Sequence, residues 1–215
     1  VKNVEEGIKG NAQGDLANID RAIQLSPQNP FAYFLRGSTR GSLKDNKGEI
    51  GDYDQAIRIN PNFAEAYYNR GSARSDLGDK QSEIADYDQA IRINPNFALA
   101  YLNRGLARSD LGDKQGAIAD LGQAIRINPN FAFAYLNRGL ALSALGNKQS
   151  AIADLGQAIR INPNFALAYS KRGLIRSALG DKQGAIADYN QAIRINPNDA
   201  FAYYNRGLAH TASKD

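Results

Sequence analysis

The sequence predicts an all-α fold, an α-solenoid of stacked antiparallel helix pairs, and three observations carry that expectation. The first is a period. Pro27, Pro61, Pro95, Pro129, Pro163 and Pro197 stand 34 residues apart, and segments 64–97 and 98–131 are identical at 27 of 34 positions. Self-similarity at a fixed interval of this size marks a repeat array. The second is spacing. Ile84, Tyr87, Ala90 and Ile91, like their counterparts in other units, recur at helical intervals along one face. The third is punctuation. Gly78 and Asp79 separate the two apolar segments of their unit, and Asn94-Pro95-Asn96 closes the second. Glycine supplies a left-handed stop, aspartate a cap for the next helix, and proline cannot continue one.

Taken in order, residues 1–29 align without a gap to the tail of a first half plus a second half, "GNAQGDLANIDRAIQLSP" matching "GDKQSEIADYDQAIRINP". Full two-helix units follow at 30–63, 64–97, 98–131, 132–165 and 166–199, and 200–215 repeats a first half. In 64–97 the first helix is expected from Ala64 to Leu77, with the second opening at Asp79 and closing at Asn94. Helix pairs this short cannot bury their own apolar faces, and stacking on neighbours does so. Residues 1–215 therefore read as a single solenoid that starts and stops in mid-repeat.

Composition narrows the function. Hydrophobic residues are 43% and charged residues 22%, a balance suited to a folded, dissolved chain. No apolar run approaches the roughly 18 residues of a membrane span, and no charged-then-apolar signal segment opens the sequence. No membrane partner is expected, and a cytoplasmic location is favoured. Without cysteine there is no disulfide framework or thiolate site, and a single histidine, His210, excludes multi-histidine metal sites. The chain has no methionine and reads as a trimmed segment. A net charge of +4, from 26 basic and 22 acidic residues, disfavours a dedicated nucleic-acid binder. The carboxylates follow the repeat instead of clustering, so neither enzymatic activity nor a cofactor is expected.

With Ala64 counted as position 1, glycine fills position 8 (Gly37, Gly71, Gly105, Gly139, Gly173 and Gly207), alanine position 27 and proline position 32. The aromatic at position 4 is Tyr33, Tyr67, Tyr101, Tyr135, Tyr169 and Tyr203. This pattern resembles the tetratricopeptide repeat over essentially the whole chain. The resemblance implies a right-handed superhelix whose first helices line a concave inner surface where partners bind. Position 20, alanine in the family, is kept as Ala117, Ala151 and Ala185 but becomes Glu49 and Glu83 elsewhere. Position 7, usually leucine, is arginine in every unit. Position 11, usually tyrosine, is Arg40, Arg74, Arg108, Leu142, Arg176 and His210. These departures define an Asn-Arg-Gly variety with a bacterial look and altered interior chemistry.

Position 7 shares a stripe with apolar positions 3, 10 and 14, which face the second helix. A charge there is costly unless paired and hydrogen-bonded. Position 23 offers an acid in every complete unit. The expected pairs are Arg36 with Asp52, Arg70 with Asp86, Arg104 with Asp120, Arg138 with Asp154, and Arg172 with Asp188. A row of phosphate receptors at positions 7 and 11 is the rival reading, opposed by the acid beside each arginine.

Positions 2, 5, 6, 9, 12 and 13 trace another strip on the first helix, which the resemblance assigns to the concave groove. Its candidate partner-binding residues are Tyr68 and Asn69, then Leu99, Leu102, Asn103 and Leu106, then Phe133, Leu136, Asn137 and Leu140. Leu167, Lys171 and Leu174 follow, then Tyr204 and Asn205. Exposed leucines and phenylalanines mark contact sites, and an amide can donate to and accept from a ligand's main chain. The asparagines are similar to the ladder in the tetratricopeptide superhelix of O-linked N-acetylglucosamine transferases, interrupted here by Lys171. Alternatively, position 6 bonds within the array. A chaperone-type carboxylate clamp needs several cations on the strip, which holds Lys171 alone.

The leading expectation is a non-catalytic protein–protein interaction scaffold that binds a peptide or partner segment in the groove. The alternative is a self-assembling module that uses its ends and outer face, forming a homo-oligomer through the terminal helices. Gly122 and Gly156 interrupt the second helices of the middle repeats, either by duplication drift or to admit the close approach of another chain.

Overall fold

Local sequence sets the helix limits. Asp45, Asp79, Asp113 and Asp181 each accept a hydrogen bond from the backbone N–H three residues on, at 2.8 to 3.2 Å, satisfying a donor the helix start leaves open. Just before, Gly78, Gly112, Gly146 and Gly180 adopt φ of +78° to +88°. Lys44 holds the equivalent place at φ 63°, a conformation costing a side-chain-bearing residue about 1–2 kcal/mol. At the far end, the first asparagine of each Asn-Pro-Asn accepts from the N–H two residues on, for example Asn94 from Asn96 at 3.1 Å.

The computed structural model describes residues 2–211, with side chains from Gln13 onward. Two units divide the chain, 1–107 and 108–215. The first holds α1 (Lys2–Leu25), α2 (Pro30–Ser42), α3 (Asn46–Ile59), α4 (Ala64–Asp76), α5 (Lys80–Ile93) and most of α6 (Ala98–Asp110). The second holds α7 (Lys114–Ile127), α8 (Ala132–Ala144), α9 (Lys148–Ile161), α10 (Ala166–Ser177), α11 (Lys182–Ile195) and α12 (Ala200–Thr211). Among the described residues there is no strand, and the all-α expectation holds.

In the first unit α2 packs on α3 and α4 on α5, with α1 against α2 and α3 against α4 joining the pairs. Its core gathers Ala56, Ile57, Phe63 and Ala66 with Tyr33, Phe34 and Tyr67, and then Ala90, Ile91 and Ala100 with Tyr68 and Phe97. In the second unit α8–α9 and α10–α11 are the pairs, joined through α7, α9–α10 and α12. Its core is aliphatic in the middle, with Leu136, Leu155, Ile159 and Ile175 among alanines. Close approach within a pair depends on position 8. A Cβ on Gly71 would stand 2.8 Å from the Tyr87 ring, and one on Gly173 would stand 2.9 Å from Tyr189.

One expected boundary is absent. Residues 1–29 align to the tail of a first half plus a second half, yet α1 runs unbroken from Lys2 to Leu25. Asn11-Ala12 stands where the full repeats carry the Asp-Asn, Asp-Lys or Asn-Lys that opens a second helix.

Candidate functional site

Two faces of the first helices bear on function: the seam facing the second helices, and the strip beside it. In the seam, position 4 and position 7 stand one turn apart, so each tyrosine ring lies under its arginine. Guanidinium-to-ring distances run from 5.2 Å at Arg206–Tyr203 to 5.7 Å at Arg172–Tyr169.

From that platform the guanidinium meets its own repeat's aspartate. Arg36 donates to Asp52 through Nε at 3.0 Å and Nη2 at 2.6 Å, Arg70 to Asp86 at 2.9 and 2.5 Å, Arg138 to Asp154 at 2.7 and 2.7 Å, and Arg172 to Asp188 at 2.9 and 2.7 Å. These forks match guanidinium to carboxylate geometry. The hydrogen bonds to Asp52 hold Arg36 above the ordinary arginine range against the opposing effect of burial. The other expected pair, Arg104 with Asp120, joins residues of different units and stays an expectation. The aspartates are buried, so removing one partner strands a charge. Position 11 adds a second cation: Arg40, Arg74, Arg108 and Arg176 donate to the same acids at 2.7 to 3.0 Å.

A further set of acids was missed from the sequence. Asp20, Asp54 and Asp88, at position 25 of the preceding repeat, accept from Nη1 of Arg36, Arg70 and Arg104 at 2.7, 2.6 and 2.5 Å. Each arginine thus sits sixteen residues after one position and sixteen before another. That symmetry was legible in the sequence as a second acid at constant offset.

The strip departs from expectation at position 5. Leu102 and Leu136, read as groove lining, are buried, with 5% and 1% exposure. Leu136 belongs to the core of the second unit with Leu155, Ile159 and Ile175. For Phe34, Tyr68 and Leu136 the reason is geometric: position 5 packs on position 24 of its own second helix and on the phenylalanine at position 34 beyond it. In the first unit the Tyr68 ring centroid lies 5.7 Å from Tyr87 and 4.8 Å from Phe97, and Phe34 sits 5.6 and 4.9 Å from Tyr53 and Phe63. Position 5 in 166–199 is Ser170, also buried, which donates to Asp199 at 2.8 Å where other repeats carry that phenylalanine.

The asparagines split into two groups. Asn103 donates to the hydroxyls of Tyr68 at 3.1 Å and Tyr87 at 3.5 Å, and Asn69 is hydrogen-bonded to Tyr53. Burial raises the Tyr53 and Tyr87 hydroxyls well above their ordinary range. Asn137 and Asn205 instead donate to carbonyls of their own helices, those of Phe133 and Phe201, at 2.7 and 2.8 Å. Lys171 lies 4.9 Å over the Phe201 ring.

What remains outward on the strip is positions 2 and 9, together with position 5 of the last half repeat, Tyr204, which has no second helix of its own among the described residues to pack on. Leu99, Phe133, Leu167, Leu174 and Tyr204 are exposed, and Leu106 and Leu140 are half-buried. The described residues contain no cluster of metal-ligating side chains, and no described helix is long and apolar enough to cross a membrane.

Family models described as TPR repeat match residues 50–78, 84–112, 107–146 and 176–213, and one described as tetratricopeptide repeat matches 132–165. The chain belongs to the tetratricopeptide repeat family. Among solved structures similar to this tetratricopeptide chain is YrrB, described as a TPR protein with an unusual peptide-binding site. It superimposes with a TM-score of 0.76 at 19% identity over 88% of this chain and 97% of that one. MamA gives 0.72 at 27% identity over 80% and 93%, and the pilF protein of Pseudomonas aeruginosa 0.80 at 14% over 96% and 95%. None of the curated proteins matches the sequence.

Proposed function

We propose that this tetratricopeptide chain is a non-catalytic interaction module that binds an extended or helical segment of a partner protein along its first helices. The supporting observation is the apolar row of the second unit, where Phe133, Leu167 and Leu174 are 43%, 44% and 40% exposed. A protein surface rarely keeps such residues in a row without a contact to make. Asn137 and Lys171 stand among them, the amide able to meet a peptide main chain. The peptide-binding site named for YrrB belongs to that protein, and its fold is the one found here.

Titration with a library of apolar peptides, comparing the parent chain with Phe133→Ser/Leu140→Ser/Leu174→Ser, tests the reading. Binding is expected to fall at least about tenfold, since each buried apolar anchor contributes about 1.5–3 kcal/mol. Unchanged affinity in the triple variant removes the strip from consideration. A second reading, self-association, is supported by Phe201, Tyr203, Tyr204 and Leu208, all exposed on α12. It requires a concentration-dependent mass in sedimentation equilibrium that Leu208→Lys abolishes.

A further inference from the structure

The repeats serve as controls for one another around a single atom, Nη1 of the position-7 arginine. In Arg36, Arg70 and Arg104 it donates to Asp20, Asp54 and Asp88, and in Arg206 to the side-chain oxygen of Asn190 at 2.7 Å. Asp20, Asp54 and Asp88 are 49%, 52% and 46% exposed, so the acceptor reaches the guanidinium from the solvent side. In the two middle repeats that acceptor is gone. Gly122 stands opposite Arg138 and Gly156 opposite Arg172. A Cβ built on either glycine would lie 3.7 or 3.6 Å from Nη1, with no other side chain or distant backbone within 4 Å. Among the described residues, both arginines spend Nε and Nη2 on their own aspartates, and neither Nη1 has an acceptor.

The two gaps differ in charge. Around Arg138 the lost acid is matched by a lost cation, since position 11 is Leu142, and Asp154 balances Arg138. Around Arg172 the second cation stays. Asp188 is the buried acid that Arg172 and Arg176 share, at 2.7 and 3.0 Å. Asp181 lies 3.6 Å from Arg176, but Asp45 lies 3.8 Å from Arg40 in a repeat that keeps its position-25 acid, so this contact does not make up the difference. The seam at 166–199 therefore carries one positive charge more than the seam at 30–63 and leaves an open place shaped for a carboxylate. A helix-interior glycine also weakens its helix.

We propose that Gly156 and Arg172 form a carboxylate subsite, filled by an aspartate or glutamate side chain from an acidic segment of a partner protein. Gly122 and Arg138 form a weaker, charge-balanced twin one repeat earlier. The guanidinium is held on the Tyr169 ring and by Asp188, so Nη1 is oriented before the ligand arrives, and a planar carboxylate suits it better than a point anion. The subsite lies between α9 and α10, uses none of the apolar strip residues, and stands independently of the strip's function.

The test uses the full chain and a capped peptide of alternating glutamate and alanine, followed by calorimetry and by the arginine side-chain Nε–H signals. The peptide is expected to shift Arg172 saturably and Arg138 less, while a glutamine–alanine peptide shifts neither. Gly156→Asp installs the residue carried by three sibling repeats and is expected to weaken the peptide about fivefold or more, the scale of one half-exposed ion pair. Asp54→Gly opens the same gap beside Arg70 and adds a responding signal. Equal affinity in parent and Gly156→Asp overturns the proposal, as does an Arg172 signal unmoved at millimolar peptide. Saturation by inorganic phosphate at the same concentration as by the peptide overturns it in favour of a free-anion site. Binding that survives Gly156→Asp but falls with Leu140→Ser belongs to the apolar strip and equally overturns it.

Discussion

Between Ser38 and Asp76 the first-helix strip is polar. A hollow of about 280 Å³ is lined there by Ser38, Ser42, Glu49, Tyr53, Asn69, Ser72 and Asp76. Between Phe133 and Leu174 the same positions carry Phe133, Leu140, Leu167 and Leu174 over an aliphatic core. The difference traces to position 24. Where it is tyrosine, as in Tyr53 and Tyr87, the hydroxyl engages the asparagine of the next repeat. In α9 it is Leu155, which cannot, and the next repeat carries Lys171. Tyr189 marks the limit of the rule: its buried hydroxyl, raised by burial to about 12, has no partner, and Asn205 bonds its own helix. The same repeat therefore uses its amide as a structural tie in one place and leaves it on the surface in another.

The largest test of this contrast removes the buried acids. Asp86→Ala takes the buried acid from both Arg70 and Arg74, leaving Arg70 only the half-exposed Asp54, and should cost about 3–5 kcal/mol in denaturant unfolding. Asp154→Ala, which strands Arg138 alone, should cost less. Equal losses would mean that the second cation contributes nothing. Next in size, Asn103→Ala deprives two tyrosine hydroxyls of a donor and should cost about 1–2 kcal/mol. Asn137→Ala should stay within about 0.5 kcal/mol; comparable losses would erase the distinction between a tie across repeats and an amide that bonds only its own helix.

The smallest effect is pH-dependent. Burial, with Asp76 and Asp45 nearby, raises Glu49 above the ordinary glutamate range. A carboxyl with a higher folded than unfolded pKa favours the folded state when protonated and opposes it once ionised. Glu49→Gln should therefore raise the midpoint of unfolding at neutral pH. Its advantage should shrink as pH falls through the glutamate range and vanish below it. A pH-independent difference would separate Glu49 from the polarity of that hollow.

Helix limits and the Arg–Asp forks were legible because each rests on a local rule: glycine and aspartate at a junction, or a cation forced into an apolar stripe. Leu102 and Leu136 were not, because the apolar stripe of a helix is wider than two rows. Spacing alone cannot say whether position 5 meets a ligand or the phenylalanine at position 34. Asp54 and Asp88 escaped notice because their arginine already had a partner within its own repeat. Ser170 and Asp199 were hidden for another reason. Both depart from the repeat, and only packing brings the two exceptions together.

The position-25 acids link one module to the next. In a linear array, unfolding is governed by intrinsic module stability and by nearest-neighbour coupling. Each Asp54–Arg70 bridge adds to the coupling alone, so amides on its two sides should open together in hydrogen exchange. The glycines at 122 and 156 omit that ionic contribution from two successive junctions, making them natural places for the stack to fray piecemeal while the rest stays folded.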